Sequence, residues 1–244
     1  HDYYSLAPGA AVKHAAWSLL LRRQRAWYAL TGRGLIGKLL PRGAELPAPY
    51  RWFRRLGVTP HSRLLDVGCG SGWLLHLLHG EGFTSLLGID PFVESDLTFP
   101  NGVRVLKRKL EDLDETFDLV MLNHSFEHMS EPRAVLRAVR RLVAPGGAAL
   151  VRVPVADSWA WRHYGEHWVQ LDAPRHLFLH TRRSMELLAA AAGFRVEAVE
   201  WDSTELQFTG SEAYRRGLTL RQLTASDPFT AEERRAFRQR AREL

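Results

Sequence analysis

The run Leu64-Leu65-Asp66-Val67-Gly68-Cys69-Gly70-Ser71-Gly72 constrains this chain more than any other stretch. An apolar segment ends in Asp, passes through three alternate glycines and continues into the helix-like Trp73-Leu74-Leu75-His76-Leu77-Leu78. This reads as a strand turning tightly into a helix. Glycine tolerates the positive φ of such a turn and leaves the main chain bare, so the spacing predicts close approach of another group to the backbone. In open α/β sheets ligands lie at this kind of strand end.

A dinucleotide-binding turn has the spacing G-x-G-x-x-G. Here Gly68, Gly70 and Gly72 are one residue tighter, and Trp73 stands where the third glycine would be. The spacing therefore leans away from a nicotinamide cofactor. A second apolar run, Ser85-Leu86-Leu87-Gly88-Ile89, ends in Asp90. A carboxylate at the end of a second strand accepts ribose hydroxyls, a signal shared by NAD and by S-adenosylmethionine (SAM).

Further motifs follow in order: LLGIDPF, LEDL at 110–113, FDLVMLNHSFEHMSEP at 117–132 and LVAPGGAALVRVP at 142–154. Together with LLDVGCGSG they give the chain, over roughly residues 60–200, the pattern of class I SAM-dependent methyltransferases, which it resembles. The resemblance implies a Rossmann-like, seven-stranded, mostly parallel sheet with helices on both faces. It also implies S-adenosyl-L-methionine as cofactor and S-adenosyl-L-homocysteine as product. On that resemblance Gly68, Cys69 and Gly70 line the methionine part through their backbone, Gly72 opens the helix, and Asp66 organises the loop. Asp90 holds the ribose hydroxyls, Pro91 and Leu110 flank the adenine, and Asn123 and His124 close the methionine end. Many relatives place Asp where this chain has Lys109, so the adenine contact passes to Glu111, Asp112 or backbone.

At 244 residues and 45% apolar, the chain is long enough for one well-buried α/β core with additions. Its single cysteine, Cys69, excludes an internal disulfide framework and a cysteine zinc cluster. No apolar run reaches the roughly 20 residues that span a bilayer, and no targeting signal is read, so a cytoplasmic location is expected. Cys69 is expected to fill a tight turn rather than to react.

Charge is uneven. Residues 1–63 hold 11 Lys/Arg against Asp2 and Glu45, a net of +9 in a chain whose formal net charge is +6. Arg22, Arg23, Arg25, Arg33, Lys38, Arg42, Arg51, Arg54 and Arg55 flank an apolar pattern of Trp17, Leu20, Leu21, Trp27 and Tyr28 at helical spacing. Three readings stand: a solvated helix face over a buried stripe, attraction of an anionic acceptor, or peripheral contact with an anionic membrane. No nucleic-acid partner is expected, because the arginines come without a binding signature.

Alternating patterns predict strands at 63–67, 85–90, 103–106, 117–123, 147–154 and 194–201, with a short last strand near 204–209. Helices are expected from Gly72, from Ser130 to about Val143, and over 182–192 up to Gly193. The organisation expected is a helical N-terminal cover over 1–55, a SAM-binding domain over 56–209 and a helical, charge-rich C-terminal tail over 210–244.

Residues 155–181 interrupt the alternation and are the expected acceptor-site insertion. They carry Trp159, Trp161, Tyr164, Trp168, His163, His167, His176 and His180. Trp168, Asp172, Pro174, His176 and Thr181 match a W-x-x-x-D-x-P-x-H-x-x-x-x-T/S pattern that many methyltransferases place over the reacting methyl group. Methyl transfer needs chiefly an in-line nucleophile and exclusion of water. A base matters for an alcohol acceptor, and histidine has the right unperturbed pKa. His176 is the first candidate and His124 the second, with Asp172 placed to set the tautomer of His176.

His124, Glu127 and His128 also spell H-x-x-E-H, an inverted zinc-protease motif if carried on a helix. The stretch falls in a strand-to-helix loop, so the protease reading is rejected and no metal is expected, while a divalent ion stays open because some quinone-type O-methyltransferases that resemble this stretch use acidic and His groups there. The expected function is methyl transfer to a small-molecule or saccharide acceptor, at oxygen. Two rivals stay open: a SAM-binding regulator or scaffold without catalysis, and an NAD-linked oxidoreductase.

Overall fold

The computed structural model describes residues 16–34 and 48–243. Helices are α1 (Ala16–Thr31), α2 (Ala48–Arg55), α3 (Trp73–Gly80), α4 (Pro132–Leu142), α5 (Trp159–Tyr164), α6 (Arg182–Ala191), α7 (Glu205–Arg215), α8 (Leu220–Ala225) and α9 (Ala231–Glu243). Strands are β1 (Arg63–Val67), β2 (Ser85–Ile89), β3 (Leu97–Thr98), β4 (Arg104–Leu106), β5 (Phe117–Asn123) and β6 (Val143–Arg152). The chain divides into two compact units. The first runs to Phe126 and adds Ala134–Arg152; the second holds Glu127–Arg133 and everything from Val153 on.

The first unit is built on a six-stranded sheet of order β3-β4-β2-β1-β5-β6, parallel except for the β3–β4 pair. β1 lies between β2 and β5, with Asp66 in register with Gly88 on one side and Met121 on the other. Such a strand is screened on both faces, and LLDV is buried throughout. Ala26, Ala29 and Leu30 of α1, with Tyr50 and Phe53 of α2, pack on Leu64, Leu119 and Met121. A second cluster gathers Leu75, Val93, Val103 and Val105.

The apolar stripe expected in the N-terminal segment is only partly used. Trp17 is 69% and Leu20 58% exposed, while the small Ala26 and Ala29 are buried, since small side chains let α1 approach its neighbours closely. Arg22 pairs with Glu81 across 3.7 Å, and the Arg23 side chain lies against Gly82. Lys38 and Arg42 lie outside the described residues.

The expected seventh strand is not present among the described residues. Residues 194–201 form no strand, although their sequence alternates, and of the last expected strand, 204–209, residues 205–209 lie in α7 with Thr204 at its N-cap. In α7 the relevant period is helical: Gln207 and Ser211 fall one turn apart, both buried, and the Ser211 hydroxyl donates to the Gln207 carbonyl at 2.6 Å. α4 begins at Pro132, where the missing N–H is harmless, and β6 starts at once after Leu142, earlier than expected.

The second unit has its own apolar core. Ala160, Tyr164, Trp168 and Phe208 are buried together, with Phe237 of α9 packed on them. Trp168 Nε1 donates to Gln207 Oε1 at 3.2 Å, and the backbone N–H of Val169 donates to the Ser211 hydroxyl at 3.0 Å. Trp168 is thus a core residue tied by its one polar atom. Trp168→Phe removes that donor and leaves the Gln207 oxygen buried without it. We expect the variant to lose about 1–3 kcal/mol of stability, read as a lower urea midpoint, with SAM affinity unchanged.

Candidate functional site

The parallel register of β1, β2 and β5 brings three strand ends of the first unit side by side. Asp66, Asp90 and Asn123 stand at those ends, and the glycine loop crosses between them. The Gly68 N–H donates to the Ile89 carbonyl at 2.8 Å, and the Gly70 N–H to Asp90 Oδ2 at 2.9 Å. Asp90 Oδ1 accepts from the Phe92 N–H at 2.8 Å. Asp90 therefore braces the glycine loop through Oδ2 and its own turn through Oδ1, and each oxygen retains a further lone pair.

Gly68 and Gly72 have φ of +72° and +79°. A Cβ on Gly68 would lie 2.5 Å from the Ser125 Cβ, and one on Gly72 2.8 Å from Val105 Cγ2. The close approach read from the glycines is therefore made in part by the protein itself. Ser125 completes this packing by donating to the Val67 carbonyl at 2.7 Å. Cys69 occupies space that Gly88 leaves open, since a Cβ there would meet its sulfur at 2.5 Å. Burial pushes the Cys69 thiol pKa far up, with Asp66 and Asp90 adding to the effect, so it is no thiolate.

Asp66 is buried, and its Oδ1 accepts from Asn123 Nδ2 at 3.2 Å. Burial raises its pKa to about 7, and Asp90 adds to the rise, while the Asn123 hydrogen bond opposes it. His124 follows at φ +51°, a left-handed conformation rare outside glycine, with its N–H on the Arg152 carbonyl at 3.0 Å; its side chain is exposed. Such strain tends to collect at functional positions. Leu110 is buried at the start of a short 3-10 turn, whereas Pro91 and Glu111 are exposed. The Asp112 carboxylate is taken up by the turn, accepting from the Lys109 N–H at 3.0 Å.

In the second unit the His176 ring is held at Nδ1 and faces two carboxylates at Nε2. Its Nδ1 lies 2.7 Å from the Gln170 carbonyl; its Nε2 is 3.9 Å from Glu127 Oε1 and 3.7 Å from Asp172 Oδ2. The tautomer is therefore set by Gln170, not by Asp172 as expected. The Asp172 carboxylate is instead engaged by Arg175 at 2.6 Å, at a residue of φ +42°. Burial lowers the His176 pKa, with Glu127 opposing. Thr181 caps α6 by accepting from the Ser184 N–H at 3.0 Å, which accounts for the last position of the W-D-P-H-T pattern.

The H-x-x-E-H stretch carries only a 3-10 turn, Phe126–His128, so it is no zinc-protease helix. What the sequence reading missed is the partner of Glu127 and His128. The chain folds so that the Leu177 N–H donates to the Glu127 carbonyl at 2.9 Å, which brings His176 to both residues. No local spacing signals that meeting.

A buried carboxyl whose pKa is raised makes the folded state hold a proton that the unfolded state releases. Stability contributed by Asp66 is therefore complete below pH 4 and falls as pH rises toward 7, at about 1.4 kcal/mol per pH unit of that window. Asp66→Asn should flatten this slope. Urea titrations of both proteins at pH 5 and pH 7.5 check it: the stability difference between variant and wild type should move in the variant's favour at the higher pH.

A family model described as a methyltransferase domain matches residues 33–199, more than half of the chain. The ubiquinone biosynthesis O-methyltransferase of Pseudomonas fluorescens (strain SBW25) is 36% identical over 112 residues, which are 41% of this chain and 48% of that protein. The tRNA U34 carboxymethyltransferase of Pseudomonas fluorescens (strain Pf0-1) is 29% identical over 173 residues, 62% of this chain and 51% of that one. The chain thus spans about half the length of the curated relatives it matches. The crystal structure of the YcgJ protein from Bacillus subtilis superposes with a TM-score of 0.51 at 18% identity, over 76% of this chain and 86% of that one, a likeness of fold. The family match, the parallel sheet and the glycine loop agree, and the chain belongs to the class I SAM-dependent methyltransferase family.

Proposed function

We propose that this chain transfers a methyl group from SAM to an oxygen of a small-molecule acceptor. The observation that carries the reading is the glycine loop spanning Asp66, Asp90 and Asn123 at the C-terminal ends of β1, β2 and β5, where open α/β sheets take ligands. The donor set fits the cofactor. Asp90 has lone pairs left for two ribose hydroxyls, and the Gly68–Gly70 backbone offers a bare edge to the methionine part. Asp66 fixes Asn123 by accepting its amide hydrogen, and so would organise the loop around the ammonium group. Leu110 and Pro91 would flank the adenine, with Glu111 offered to its amino group, and His124 would close the methionine end.

SAM supplies a sulfonium leaving group and hence the electrophilic methyl carbon. The chain's own part is to hold the donor at fixed orientation and keep water away, and positioning of that kind supplies much of the acceleration. An oxygen acceptor of small size is supported by similarity to the ubiquinone biosynthesis O-methyltransferases. A tRNA acceptor is the second reading. It rests on similarity to the tRNA U34 carboxymethyltransferases and on the +9 charge of residues 1–63.

Transfer of labelled methyl from SAM to catechol-type phenols, with bulk tRNA as a parallel acceptor, decides between them. Label in neither would overturn both acceptor readings and leave a saccharide acceptor or a SAM-binding protein without catalysis. Asp90→Ala should weaken SAM binding by about 2–4 kcal/mol, the scale of two hydrogen bonds to a charged group less what water returns. Calorimetry on the folded variant checks it. Unchanged affinity would remove the ribose assignment, and tight NADH binding by the wild type would favour the oxidoreductase.

A further inference from the structure

We propose that Glu127, His128 and His176 form a binding site for one divalent transition-metal ion of the Zn²⁺ kind. The three side chains come from two separate stretches of the second unit, and one ligand atom from each lies within 4.8 Å of the others. The imidazole hydrogen bonds carry the inference. His176 Nδ1 is 2.7 Å from the Gln170 carbonyl oxygen, and His128 Nδ1 is 2.9 Å from that of Arg175. A carbonyl oxygen only accepts, so each Nδ1 must carry the hydrogen. Each neutral ring then keeps its lone pair on Nε2. A metal-bound histidine is arranged in this way, with one nitrogen on the ion and the other donating to a carbonyl that fixes the ring. Both carbonyls belong to the same loop, and the two rings meet edge to face at 4.8 Å between centroids.

Glu127 adds what two neutral rings lack. Its carboxylate is 1% exposed and lies 3.9 Å from His176 Nε2, so it brings negative charge to the nitrogen donors. Two imidazoles and one carboxylate suit Zn²⁺ and its first-row neighbours; Mg²⁺ and Ca²⁺ prefer oxygen throughout. Three protein ligands leave a coordination position open, the pattern of a site that takes water or a ligand oxygen. Ligand atoms at about 2.0–2.2 Å from one ion stand roughly 3–4 Å apart, so side-chain shifts of about 1 Å close the cluster. His124, the first residue of the H-x-x-E-H stretch, is not part of it. On this assignment His176 serves as a ligand and not as a free base, and the site stands apart from the SAM reading.

The test uses the chain without a polyhistidine tag, stripped with chelator and free of SAM, so that its outcome is independent of cofactor binding. Calorimetry with ZnCl₂ should show one equivalent bound. CoCl₂ should give the intense visible bands of four- or five-coordinate cobalt, removed by Zn²⁺ and not by millimolar Mg²⁺. His176→Gln and His128→Ala should each weaken Zn²⁺ binding by more than about 100-fold, beyond the loss caused by removing a ligand's outer hydrogen-bond partner. Circular dichroism verifies the fold of both, and His128→Ala, at a half-exposed position, decides alone if the other variant fails to fold. Absence of stoichiometric Zn²⁺ binding in the wild type, or equal binding in a folded His128→Ala protein, overturns the proposal.

Discussion

The hydrogen bond from the Gly70 backbone to Asp90 joins the ends of β1 and β2, and the glycine loop depends on it. Each partner needs the other. A buried carboxylate is tolerated because backbone N–H groups satisfy it, and a loop of alternate glycines holds one shape because a fixed acceptor collects its donor. The parallel register supplies the rest. Once Asp66 is aligned with Gly88 and Met121, the strand ends carrying Asp90 and Asn123 have one place to be. That alignment buries the Asp66 carboxyl, and burial is the main reason its pKa rises to about 7, with nearby Asp90 adding to the rise.

The same loop shows how packing and binding share one set of residues. Gly68 is required by Ser125 and Gly72 by Val105, both through contacts inside the protein, and Cys69 fits beside Gly88. A larger residue at any of these positions would disturb the sheet as well as the ligand edge. Position and stability are therefore coupled here, so substitutions in the loop must be judged on folding before binding.

The second unit follows a different rule. Its core is aromatic, with single polar atoms tied down: Trp168 to Gln207, and the Val169 backbone to Ser211. This rigid base leaves the Gln170–Leu177 loop to be shaped by polar contacts, namely Arg175 on Asp172 and the Leu177 N–H on Glu127. Those contacts orient two imidazoles by their Nδ1 hydrogens, and the orientation gives the cluster with Glu127 its chemical sense.

The sequence by itself determined the parts whose signal is local. LLDV followed by alternate glycines specifies a buried strand and a left-handed turn, and Asp90 at the end of an apolar run marks the second strand end. Pro132 marks a helix start in the same way. The sequence did not determine pairing. Residues 194–201 alternate as a strand does, yet a strand exists only where a neighbour offers its N–H and C=O groups, and the alternation of 204–209 concealed a helical face. Only the tertiary structure decided that Gln170 and not Asp172 fixes His176, that Trp168 is core, and that His176 meets Glu127 and His128. Each of these is a contact between residues distant in the chain or a choice among hydrogen-bond acceptors of similar strength, and nothing in the local order of side chains ranks them.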